Sequence, residues 1–191
     1  MRDIEVDLSG RSFRLIGDTG PVATAIDAAL TVNGATRGAG GEADLLIVMH
    51  DLLPTQKPVP PDDAVLSEAG EIVNAGGRIV FVLSVLAGVP ARRHAAYSVT
   101  MAAAQARMRL LAMQLAPTVL VNAVGAGCIA EAGAVISGDA AMLGHVPLGR
   151  PGRIADIVNA VLFLCDPANT YTTGQTLHVD AGWSVGYARN F

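Results

Sequence analysis

The chain has 191 residues, of which 51% are hydrophobic and 16% charged, and a formal net charge of −4. That length and apolar fraction suit a single domain over residues 1–191 with a sizeable core. No apolar run reaches the ~18 residues of a membrane span and no basic, then apolar, leader opens the sequence, so a cytoplasmic protein is expected. Residues 1–71 carry 12 acids against 5 bases and residues 72–191 carry 5 against 8, so neither stretch offers the basic, aromatic-studded face that nucleic acid requires.

From the N-terminus, Arg2 to Leu8, Ser9-Gly10 and Phe13 to Ile16 alternate in polarity like a hairpin or a lead-in to a first strand. Gly20 or Thr19 as cap and Pro21 at the first turn start a helix over Pro21 to Val32. Residues 34–41, rich in glycine, read as a loop, and the run Ala43 to Val48 reads as a buried strand. Pro54 to Asp63, which contains Lys57, the single lysine of the chain, reads as a loop over the carboxyl ends of the strands.

The apolar, β-branched run Gly77 to Leu83 ends in the hydroxyl of Ser84. A loop through Gly88 and Pro90 then leads into a long helical stretch, Ala95 to Leu115, that carries Tyr97 near its start and many alanines along its length. Small residues of this kind permit close approach of another helix. The apolar stretches Val119 to Val124 and Ile154 to Leu164 follow, and then Tyr171 to Trp183, which contains Thr173-Gly174-Gln175. Cys128 and Cys165 lie in or beside apolar segments without metal-ligand spacing and read as buried thiols. His50, His94, His145 and His178 are scattered and read as surface or structural histidines, so no metal is expected.

The order strand, Ser84, loop, helix with Tyr97, together with Pro147 to Gly152, the Thr-Gly-Gln turn and the last strand, resembles the short-chain dehydrogenase/reductase family over roughly residues 77 to 183. The resemblance implies a doubly wound, Rossmann-like parallel sheet. It also implies a catalytic role for Ser84, which would hold a carbonyl oxygen, and for Tyr97, which would move the proton. In that family a lysine four residues beyond the tyrosine favours the phenolate, whereas this chain has Met101 there. A thioether has neither charge nor donor, and a free phenol titrates near pH 10. Arg92, Arg93 and Arg107 are the cations nearest in sequence, and none stands at that position.

The front of the chain departs further. The family's Thr-Gly-x-x-x-Gly-x-Gly turn aligns on Ile16 to Ala23, with Gly17 the one glycine retained, Pro21 at the second glycine and Ala23 at the third. Pro21 lacks a backbone donor, Ala23 adds a methyl, and Asp18 places a carboxylate beside the site. About twenty residues separate the first helix from the next long strand, whereas the family places a strand, a helix and a strand there. The reading is therefore an adenosine-binding half cut short. Met49-His50-Asp51-Leu52 follows the strand where the family continues Asn-Asn-Ala-Gly. Asn74 lies too near Ser84 to be the family's catalytic asparagine, and Gly125-Ala126-Gly127 replaces a Pro-Gly pair that contacts nicotinamide.

These departures lead to an expected non-catalytic subunit that binds no cofactor itself and assembles, through helix 95–115 and the C-terminal segment, with an active paralogue carrying NAD. A hetero-oligomer, as a tetramer, is the expected assembly. Trp183, Tyr187 and Phe191 are aromatic anchors that would dock at that interface or pack on their own domain. The arrangement resembles the two-subunit short-chain dehydrogenase of anaerobic toluene degradation, which oxidises a benzylsuccinyl-CoA-derived alcohol and contains one inactive subunit type. Two enzyme readings stand beside it. One is a cofactor-independent cyclase, lyase or isomerase using Ser84 as donor and Tyr97 as acid, since a neutral phenol can protonate without a lysine. The other is an NAD(P)-dependent reductase with a rebuilt site.

Overall fold

The computed structural model describes residues 6–54, 69–131, 134–137 and 140–186. Most of the Pro54 to Asp63 segment, Lys57, Tyr187 and Phe191 lie outside the described residues.

Six strands form one sheet: β1 (Ser12–Gly17), β2 (Thr36–Arg37), β3 (Ala43–Met49), β4 (Val73–Ser84), β5 (Leu120–Ala126) and β8 (Thr176–Val179), in the order β2-β1-β3-β4-β5-β8. Every neighbouring pair is parallel. A short antiparallel pair, β6 (Ile129–Glu131) and β7 (Ala134–Ser137), stands apart from it. A parallel sheet covered on both faces demands strands apolar in both parities, which is why Leu45–Met49 and Ile79–Leu83 read as unbroken apolar runs.

Leu45, Ile47, Met49, Val80 and Val82 face α1 (Pro21–Val32) and α4 (Ile154–Cys165), together with Ile26, Leu30, Val161 and Leu164. Leu46, Val48, Ile79, Phe81 and Leu83 face α3 (Ala95–Leu115), against Met108, Leu111 and Ala112. Helix α3 buries Tyr97, Met101, Ala104, Met108 and Leu111, an i, i+4, i+7 stripe. Its outer face is apolar too, with Val99, Leu110 and Met113 exposed. It stops at Ala116, whose extended backbone is what a residue preceding proline adopts. The four-residue helix α2 (Ala69–Ile72) leads into β4. Cys128 and Cys165 are buried, as the apolar context predicts.

The front of the sheet is short, and one expectation needs correction there. Residues 34–41 are not wholly loop: Thr36 and Arg37 pair with Ser12 and Phe13 as β2. Two residues among glycines offer no periodic pattern, and the Arg37–Asp27 ion pair to α1 holds them. On the N-terminal side, residues 6–11 lead into β1 outside any strand, with the Leu8 N–H donating to the Asn33 carbonyl at 2.8 Å, and Arg2 to Glu5 lie outside the described residues.

Polar staples fix the strand ends. Buried Arg78 donates to the carbonyls of Pro167 (3.2 Å) and Asn169 (3.0 Å), tying the start of β4's paired run to the turn after α4. Asn74 donates to Asp44 at 3.1 Å, a structural clamp rather than a site contact. Asn122 donates to the Thr172 carbonyl (2.8 Å) and accepts from the Gln175 N–H (3.0 Å), so the Thr-Gly-Gln turn is bound to β5. Among the described residues no helix is long and apolar enough to cross a membrane.

Candidate active site

Strand β4 delivers Ser84 to its carboxyl end, and the first turn of α3 delivers Tyr97. The fold brings the pair together: a hydrogen bond from the Ser84 side chain is among the forces that move the Tyr97 pKa. Ser84 Oγ accepts from the Leu86 N–H at 3.3 Å and so caps the short turn Val85–Ala87. The Tyr97 hydroxyl donates to the Asp51 carbonyl at 2.7 Å. Its one proton is thus already committed to the backbone just past β3.

Burial pushes the Tyr97 phenol well above its ordinary range, the Ser84 hydrogen bond partly offsets this, and the charge of Asp51 adds to the rise. A cation beside the oxygen would act in the opposite sense. Met101 occupies the position one turn along, 1% exposed, in an apolar cluster with Val85, Leu86 and Tyr97. Trp183 packs against that cluster, so of the three C-terminal aromatics the described one packs on its own chain. Ser84 and Tyr97 are 4% and 1% exposed. The phenol is therefore a neutral, sealed hydrogen-bond donor in this conformation.

Sequence reasoning did not single out His50. The imidazole directly continues the apolar run of β3, is 1% exposed, and among the described residues neither ring nitrogen has a hydrogen-bond partner. It stacks on Phe81 with ring centroids 6.2 Å apart. Burial drives its pKa down to about 4, with the Arg107 charge adding to the effect. The signal available in the sequence was a titratable residue directly after five consecutive apolar ones, Leu45 to Met49.

The turn between β1 and α1 decides whether a dinucleotide fits. Gly17 has φ +95°, and a Cβ there would lie 2.0 Å from the Met49 carbonyl oxygen. The close approach of β1 to β3 requires this glycine whether or not a ligand binds. The Asp18 carboxylate accepts from the Gly20 N–H at 3.2 Å, and it stands 2.9 Å from where a Gly20 Cβ would be. Pro21 supplies no N–H at the first helical position. A phosphate would meet a carboxylate already in its place and too few donors, so these residues do not fit a pyrophosphate. No group of three or more His, Cys, Asp or Glu side chains that would hold a metal ion occurs among the described residues.

The Enoyl-(Acyl carrier protein) reductase family model matches residues 64–184. The chain is a short-chain dehydrogenase/reductase. An uncharacterized oxidoreductase of Mycobacterium tuberculosis is 37% identical over 114 residues, covering 57% of this chain and 43% of the relative. D-erythrulose reductase of Gallus gallus is 35% identical over 115 residues (57% and 47%). The 3-oxoacyl-[acyl-carrier-protein] reductase of Aquifex aeolicus is 39% identical over 110 residues (56% and 44%). The matched stretch spans about half the length of these curated relatives. Among solved structures, BdcA in complex with NADPH superposes with a TM-score of 0.76 at 18% identity, covering 95% of this chain and 97% of the other. A short-chain dehydrogenase/reductase from Brucella melitensis gives 0.71 at 20% identity, covering 94% and 99%. At those identities the superpositions establish the short-chain dehydrogenase/reductase fold.

Proposed function

We propose that this short-chain dehydrogenase/reductase takes part in nicotinamide-dependent interconversion of an alcohol and a carbonyl compound. The observation that carries the reading is that Ser84 and Tyr97 meet at the carboxyl end of the sheet, on a chain whose relatives include D-erythrulose reductase and a 3-oxoacyl-[acyl-carrier-protein] reductase. Ser84 would hold the carbonyl oxygen and Tyr97 the proton.

Two forms of this reading divide on whether the chain carries the reaction itself. The relatives favour an NAD(P)-dependent reductase with a rebuilt site, opened by a movement that frees Tyr97 from the Asp51 carbonyl. The sealed phenol, Met101 and the self-occupied β1–α1 turn favour a subunit that supports an active paralogue, docked through the exposed apolar face of α3. Nothing among the described residues selects a phenyl or CoA group, so the proposal stops at the alcohol–carbonyl pair.

Titrating the isolated chain with NADPH and NADH, followed by native mass spectrometry after co-expression with a short-chain paralogue, separates the two. Saturable dinucleotide binding, with carbonyl reduction abolished in Tyr97→Phe, establishes the reductase. No binding alone, with a mixed oligomer that Ala103→Trp disrupts and Tyr97→Phe leaves active, establishes the subunit. A chain that neither binds dinucleotide nor joins a paralogue overturns both.

A further inference from the structure

We propose that Trp183 is a positioning residue for the Ser84–Tyr97 pair: an indole arm from the β8 edge of the sheet that holds in place the segment joining the two side chains. The proposal deepens the alcohol–carbonyl reading and rests on it for what the pair does. A reacting pair keeps its geometry only where packing locks the side chains that carry it.

The apolar cluster around Tyr97 is local in sequence. Val85, Leu86, Tyr97 and Met101 form it, and Ala87, Val89 and Ala91 pack against it. Among the described residues, Trp183 is the one apolar side chain packed on it from outside residues 85–101. Polar bonds secure the ends of the segment, where Ser84 Oγ accepts from the Leu86 N–H and Ser98 Oγ accepts from the Ala91 N–H at 3.1 Å. In its middle, the Gly88 and Val89 N–H groups both return to the Val85 carbonyl. The indole is therefore what fastens this stretch to the β8 side of the fold.

The turn that delivers Trp183 is built to hold one conformation. Asp180, just past β8, is buried, and its two oxygens accept from the Gly182 N–H (2.9 Å) and the Ser184 N–H (2.7 Å), one on each side of Trp183. The Trp183 N–H donates to the Asp180 carbonyl at 3.2 Å, and the Leu148 N–H donates to the Ala181 carbonyl at 3.2 Å. Ala181 has φ +60°, a left-handed conformation that a residue with a Cβ keeps only where its surroundings enforce it. Strand β5 leaves room for the turn, since a Cβ on Gly127 would come within 2.6 Å of the Asp180 Cα. The strained, clamped turn places the indole on the cluster that contains Tyr97.

Trp183 is the single tryptophan of the chain, so its emission reports the arm directly. Alkaline titration of phenolate absorbance, with Tyr97→Phe to assign the Tyr97 share, reports the pair. Neither readout needs substrate or dinucleotide, so failure here is distinct from failure of the redox reading. In the parent, Tyr97 should stay protonated through pH ~11, whereas in Trp183→Ala it should titrate near pH ~10 as a hydrated phenol does. Trp183→Phe, which keeps an aromatic ring, should restore the parent curve. Asp180→Ala should red-shift the tryptophan emission and bring the Tyr97 titration down as well. Val161→Ala, in the core on the opposite face of the sheet, controls for lost stability and should leave the Tyr97 curve unmoved. Should Trp183→Ala not fold, Trp183→Leu is read in its place. A Tyr97 titration unmoved by loss of the indole, or moved equally by Val161→Ala, overturns the proposal, as does an emission that Asp180→Ala leaves unchanged.

Discussion

The two ends of the sheet have been treated differently. At one end β8 closes the sheet with four paired residues, held through Asn122 and the Thr-Gly-Gln turn, and Arg78 fastens the preceding turn to β4. At the other, β2 is reduced to two residues and β1 is nearly the edge. Both ends nevertheless share one core, since Phe13, Ile26 and Leu30 from the front join Val161, Leu164 and Cys165 from the back. A parallel sheet buries each strand mainly against its inner neighbours and the helices above them. An outer strand can therefore be shortened without opening the centre.

The largest expected effect tests whether the front is as tightly built as the back. Gly17→Val puts a branched side chain at φ +95° and against the Met49 carbonyl, and should cost more than about 4 kcal/mol, read as loss of a cooperative urea transition. A loss below about 1 kcal/mol would mean that the β1–β3 junction yields and the front is the looser region.

Next comes the acid limb of stability. His50 has a folded pKa depressed to about 4, so the folded protein keeps it neutral while the unfolded chain takes up a proton below about 6.5. Its contribution is present above that pH and is lost as pH falls towards 4, roughly 3 kcal/mol in all. His50→Phe should flatten that part of the pH–stability curve, measured by denaturant midpoints. An unchanged curve would place the imidazole in a polar setting.

Smallest is the sealed phenol. Tyr97→Phe removes the bond to the Asp51 carbonyl and should cost about 1 kcal/mol at neutral pH. The native phenol titrates above its unfolded value, so stability from this group is full below pH ~10 and falls as the unfolded tyrosine ionises above it. The variant should lose part of that alkaline slope, and a slope identical to the parent's would show that the phenol is not sealed.

Long elements were legible because their causes are local. Helices 21–32 and 95–115 begin and end where proline, small caps and apolar spacing place them, and the apolar runs of β3, β4 and β5 announce strands buried on both faces. The Ser84–Tyr97 pairing was what the family resemblance implied. Strand β2 was not legible, because its two residues are held by a ladder and an ion pair made with distant partners. The isolation of His50 was hidden for the same reason: which groups fail to meet a side chain is settled only when β3, β4 and α3 have packed. The spent phenol depends on the Asp51 carbonyl, 46 residues away in sequence.

The Asp18–Gly20 hydrogen bond has a consequence for how this chain can change over generations. Removing Asp18 alone takes away the anion and frees the Gly20 N–H, yet Pro21 still supplies no donor, while replacing Pro21 alone sets a new donor beside an anion that already claims the space. The effects of the two substitutions are therefore coupled, and the order in which they arise decides whether the first changes what the turn can hold.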